Sequence, residues 1–119
     1  MGDLKTIVAA TDFSACASSA LQHAGRLAAR AGAALHVLHA IDSNEFDGLA
    51  SAVPFGRTEL KAQLTEQART RLSATVGESL GGVNVHTLVQ LGHPVDTILK
   101  TVERVSAVLL VVGAYGEGG

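Results

Sequence analysis

Two apolar rhythms alternate along this chain: short continuous runs, and stripes whose members recur every three or four residues. The first run, Thr6-Ile7-Val8-Ala9-Ala10, is partly β-branched and reads as a strand buried on both faces. A stripe follows at Ala17, Ala20, Leu21, Ala24, Leu27, Ala28 and Ala31, the spacing of one helix face. Ser14 stands where an N-cap belongs, and Gly32 where a left-handed residue ends a helix. Leu35–Ile41 is a second run. Leu60, Leu64, Ala68, Leu72, Val76 and Leu80 predict a helix over about 58–80, stopped by Gly81-Gly82. Val83–Leu91 alternates like a half-buried strand. Val95, Ile98, Leu99, Val102 and Val105 form a third stripe, with Pro94 at its first turn. Ala107–Val112 is the most apolar run of all.

The order β-α-β-α-β-α-β predicts an α/β fold: parallel strands, helices on both faces and right-handed crossovers. A length of 119 residues fits one domain. The segment from Asp42 to Gly56 keeps neither rhythm. It reads as a long loop, expected to be mobile until it closes near a ligand.

Composition then excludes several classes. Apolar residues make up 47% and charged residues 17%, which is not the signature of a disordered chain. Three Phe and one Tyr are too few for a single-strand nucleic-acid stacking platform, and a net charge of −2 supplies no basic stripe. No nucleic-acid partner is expected. No run of 18 apolar residues exists, so no membrane span is expected. Met1-Gly2 and Thr6 match a loose myristoylation pattern, but no basic second signal stands beside it. The start lacks the apolar core of a signal peptide, and the single Cys16 has no internal partner. A soluble cytoplasmic protein is the expectation.

In an open α/β sheet, ligands sit beyond the carboxyl ends of the strands. Asp12 lies directly after the first strand, where it either meets a ligand or caps the following helix. Gly113-x-x-Gly116 follows the last strand. It is either a tight turn or a place where backbone N–H groups approach an anion.

These residues together resemble a known family. The run from Thr6 through Asp12 and Phe13 to Ser14, followed by an Ala-rich helix, resembles the opening of a universal stress protein. Gly92-His93-Pro94 with the helix of Ile98 and Leu99 resembles its third strand–helix junction, and Val108 to Gly116 its fourth strand and first glycines. The resemblance implies a Rossmann-like fold of the adenine nucleotide alpha-hydrolase type, an open sheet in strand order 3-2-1-4. It also implies ATP or another adenine nucleotide, with Mg, at the carboxyl ends of strands one and four. In the nucleotide-binding branch an Asp after the first strand contacts adenosine and a backbone position ending the second reaches adenine. A glycine loop of form G-x2-G-x9-G-[ST] holds the phosphates. By resemblance, Asp12 and Ala40 hold adenosine, Gly113 and Gly116 start the phosphate loop, and Ala10 and Thr11 are further nucleotide-binding candidates.

The later glycine of that loop, the last helix and the fifth strand have no counterpart here. The chain is therefore expected to be a single, C-terminally incomplete universal-stress-type domain over 1–119. Without a fifth strand, Val108–Val112 would be an uncovered apolar edge, and a homodimer or larger species is expected. The expected role is sensing or regulation, without dedicated chemistry. The alternative is a stress module that binds no nucleotide and acts by dimerisation or protein contact. Neither G-x-x-x-x-G-K-[ST] nor G-x-S-x-G occurs, which leaves only a slow, incidental ATPase open on the enzyme side.

Other reactive residues have narrower readings. Cys16 in the first turn of a helix is either a lowered-pKa thiol or a small packed residue. His36 and His39 point to opposite faces of a strand and cannot share an ion, which leaves His39 with His86 as a candidate metal pair. His93 either meets a ligand or caps a helix.

Overall fold

The computed structural model describes residues 5–79 and 82–113. The four apolar runs form one parallel sheet of β1 (Thr6–Ala10), β2 (Ala34–Asp42), β3 (Val85–Gly92) and β4 (Leu109–Val112). Their order is β3-β2-β1-β4, as expected. β1 lies between two partners: Ala10 stands opposite Leu38 of β2 and Val112 of β4. Only such an inner strand is covered on all sides, which is why Ile7, Val8 and Ala9 are apolar without alternation and all buried.

α1 (Ala15–Ala31) and α3 (Arg57–Ser79) pack on one face of the sheet. There Leu21, Ala24 and Ala28 of α1 and Leu72 of α3 meet Ile7, Ala9, Leu35 and Val37 in one core. The period of two sends Val8 and Leu38 to the opposite face, where α4 (Pro94–Arg104) crosses β2, β3 and β1. Small Ala side chains let α1 lie close to the sheet. Each fully buried Leu or Val there contributes roughly 1.5–3 kcal/mol.

The helix ends follow their local chemistry. The Ser14 hydroxyl accepts the Ala17 N–H at 3.1 Å. Gly32 takes φ 65°, and the next N–H, from Ala33, returns to the Ala28 carbonyl at 2.9 Å. Pro94 opens α4, where its missing N–H is no loss.

The expected loop between Asp42 and Gly56 is mostly a helix instead, α2 (Ser43–Ala52). Asp42 caps it by accepting the Asn44 N–H at 2.8 Å. Phe46 anchors it at 3% exposure, and an ion pair between Asp47 and Arg57 ties it to the start of α3 at 2.6 Å. A single anchoring side chain leaves no stripe, so periodicity does not reveal this helix. No helix among the described residues is long and apolar enough to cross a membrane.

Past β4 the backbone runs against the first turn of α1. A Cβ on Gly113 would lie 2.6 Å from Ala17 Cα and 2.8 Å from the Cys16 carbonyl carbon. Backbone cannot yield as a side-chain tip can, so Gly113→Ala should destabilise by about 1–3 kcal/mol. Gly48 in α2 has open space around its Cβ position, so Gly48→Ala should stabilise by about 0.5–1 kcal/mol. Urea denaturation of both variants checks the opposite signs.

On the α4 side, His36 stacks on its cross-strand neighbour His86, with ring centroids 4.7 Å apart. Burial, then the nearby His86 and Arg104, push the His36 imidazole below its ordinary value of 6.5. The unfolded chain takes up this proton at a higher pH than the folded one does. Stability from this group is thus fully present above pH 6.5 and is lost as pH falls through the folded value. The urea midpoint should fall between pH 7.5 and 5.5, and by less in His36→Gln. Equal falls in both proteins would contradict this origin.

Candidate functional site

β1 and β2 do not end together. The Thr11 N–H makes the last rung, to the Leu38 carbonyl at 2.9 Å, and β2 then continues to Asp42. Along a parallel strand, alternate residues aim their backbone groups at alternate neighbours. Ala34 and Leu38 bond toward β1, while Leu35 bonds toward β3. Ala40 therefore presents its N–H and carbonyl toward the β1 side, where the register of β1 has already finished. An edge of free backbone results, the kind of group that reads the rim of a heterocycle.

A cavity of about 880 Å3 opens there. Ala10, Thr11, Asp12, Ala40 and Gly113 all line it, so five of the six residues proposed from sequence share one cavity. Gly116 lies outside the described residues. The walls add Ala17, Ile41, Ile98 and Val112, and α2 contributes Phe46, Leu49 and Glu45. The size suits a small organic ligand.

Asp12 is not the cap of α1; Ser14 is. The Asp12 carboxylate accepts the Ser14 N–H at 2.9 Å. Hydrogen bonding from the Ser14 side chain, then from its backbone, holds this carboxyl below the usual carboxylate range, and His39 nearby acts in the same direction. An ionised carboxylate only accepts hydrogen bonds, so a neutral partner must bring hydroxyl or N–H donors to it.

Thr11 organises the polar floor. Its Oγ1 accepts the Phe13 N–H at 3.0 Å, and its carbonyl oxygen accepts the His39 Nδ1–H at 2.8 Å. Phe13 is held at φ 67°, a left-handed conformation that a bulky residue seldom adopts. Its ring lies 4.5 Å from the His39 ring on one contact and 4.5 Å from the Arg71 guanidinium on another.

His39 and Arg71 are lining residues that sequence reading did not place here. His39 pairs in register with Val89, and His86 stacks on His36, so the candidate His39–His86 pair is not brought together. Among the described residues no cluster of three or more His, Cys, Asp or Glu could hold a metal ion. His93 occupies the N-cap position of α4, but its side chain makes no cap hydrogen bond and does not line the cavity. Cys16 is exposed in the first turn of α1, outside the lining.

Comparisons with known proteins agree with this architecture. The profile of the universal stress protein family matches residues 3–119. Universal stress protein MJ0577 of Methanocaldococcus jannaschii is 28% identical over 95% of this chain and 78% of its own length. Universal stress protein MJ0531 of the same organism is 29% identical over 97% of this chain and 67% of its own. The solved structure of MJ0577 superposes with a TM-score of 0.80, covering 95% of this chain and 76% of that one. A universal stress protein solved in complex with cAMP shares the fold at 24% identity and a TM-score of 0.56, over 92% of this chain and 72% of that one. With a family match across nearly its whole length and the expected sheet order, this chain belongs to the universal stress protein family.

Proposed function

We propose that this protein binds an adenine nucleotide, ATP or a relative of it, beyond the carboxyl ends of β1 and β4, and acts as a sensor or regulator without a dedicated reaction. The observation that carries the reading is the offset between β1 and β2. It brings the free backbone of Ala40 and the ionised Asp12 into one apolar-walled cavity. Ala40 can pair with the edge of a purine, and a carboxylate accepts both hydroxyls of a ribose diol. Ala10 and Thr11 shape the floor beneath, and Gly113 would lie toward the phosphates. Asp12, Asp42 and Glu45 already make the lining acidic, so a triphosphate would enter with Mg. A protein of this fold solved with cAMP is in keeping with the reading. The single free thiol of Cys16 suits a reducing compartment such as the cytoplasm.

A second reading, action through protein contact, is favoured by one specific observation. Among the described residues β4 pairs only with β1, and Val108, Leu109 and Val112 are 64%, 41% and 53% exposed. We read this edge as a self-association surface shared by two copies of the chain, which is compatible with nucleotide binding.

Nucleotide at one hundred times its Kd should add about 2.7 kcal/mol of stability in a thermal-shift measurement. Asp12→Ala should weaken that binding while lowering stability by only about 1 kcal/mol. Unchanged affinity in the variant would remove Asp12 from the site. For the edge, sedimentation should show a dimer or larger species that Leu110→Asp disrupts. A stable monomer at high micromolar concentration would contradict self-association.

A further inference from the structure

Arg71 projects from α3 into the same cavity, with its guanidinium carbon over the Phe13 ring at 4.5 Å. It is the one Lys or Arg among the described lining residues, while Asp12, Asp42 and Glu45 are the carboxylates of that lining. Arg71 nevertheless forms no ion pair among the described residues. Two of those carboxylates have other work: Asp12 holds the Ser14 N–H and Asp42 caps α2. An aromatic ring offers a guanidinium no oxygen acceptor, and guanidinium N–H donors match an oxyanion in bidentate fashion. Its platform is unusually well held. The Phe13 ring rests on His39, and Thr11 anchors both through its hydroxyl and its carbonyl. Phe13 takes φ 67°, and its ring packs against the core as well as meeting Arg71.

We infer that Arg71 is a specificity-determining residue of this cavity: it takes the negative charge of the bound nucleotide, so that a phosphorylated adenosine is preferred over the neutral nucleoside. The inference rests on the nucleotide reading above and names the side chain that distinguishes the ligand's charge. Asp12 and Ala40 recognise groups that adenosine and its phosphates share, so they cannot make this distinction. Arg71 is exposed, so its loss leaves the core intact.

The test is calorimetric titration of adenosine and of AMP into the full chain and into Arg71→Gln, with melting temperatures recorded for both proteins. The unaltered protein should bind AMP at least about tenfold more tightly than adenosine, the scale of one charge-assisted hydrogen-bonded contact. Arg71→Gln should erase that gap, with adenosine affinity and melting temperature unchanged. A gap that persists in Arg71→Gln would overturn the inference and leave the nucleotide reading standing. So would an equal loss for both ligands, which would mark Arg71 as a support of the cavity wall. Failure of the unaltered protein to bind either ligand would overturn the nucleotide reading and this inference with it.

Discussion

β1 ends at Ala10 while β2 beside it runs on to Asp42, and the cavity exists because of that unequal length. A parallel sheet satisfies its backbone only where neighbours run side by side. β1 has neighbours on both sides for its whole length, so it can be short, apolar and rigidly placed. Where it stops, the chain must turn away, and the turn Thr11–Ser14 is consumed in starting α1. Ala40 is left with backbone groups aimed at the vacated side. The arrival of β4 on the other flank brings Gly113 against the first turn of α1, which closes the space between them. The same constraint that builds the core therefore builds the site.

Within the site, few polar atoms have more than one task to spare. Thr11 uses its N–H on β2, its hydroxyl on Phe13 and its carbonyl on His39. The Ser14 hydroxyl holds the first turn of α1, and its N–H holds Asp12. Such a chain of commitments leaves the Asp12 carboxylate oriented before any ligand arrives, which lowers the ordering needed on binding. Arg71 and Phe13 sit at the margin of this network. Their contact is made between α3 and the β1–α1 turn.

The strands and long helices were legible because each carries its own pattern: Ile7, Val8 and Ala9 as an inner strand, Leu60, Ala68 and Leu72 as a buried stripe. The helix α2 was not legible from periodicity, since Phe46 alone anchors it. Its signal was chemical instead: Asp42 followed three residues later by Glu45, the spacing of a helix start. Asp12, Ala40 and Gly113 could be placed by resemblance, but their reasons could not. Gly113 is held to glycine by the backbone of α1, a contact between residues far apart in sequence. The pairing of His86 with His36, and not His39, depends on a register that no local pattern specifies. Arg71 carried no mark at all, because only the packing of α3 over the β1–α1 turn brings it to Phe13.

The most direct test of the central claim, that the offset between β1 and β2 is a nucleotide site, is an amide-resolved NMR titration with AMP. The account predicts shifts confined to residues 10–13, 39–42, 71 and 113, with the Ala40 amide among the largest. Shifts centred on His36 and His86, or none at saturating AMP, would contradict it.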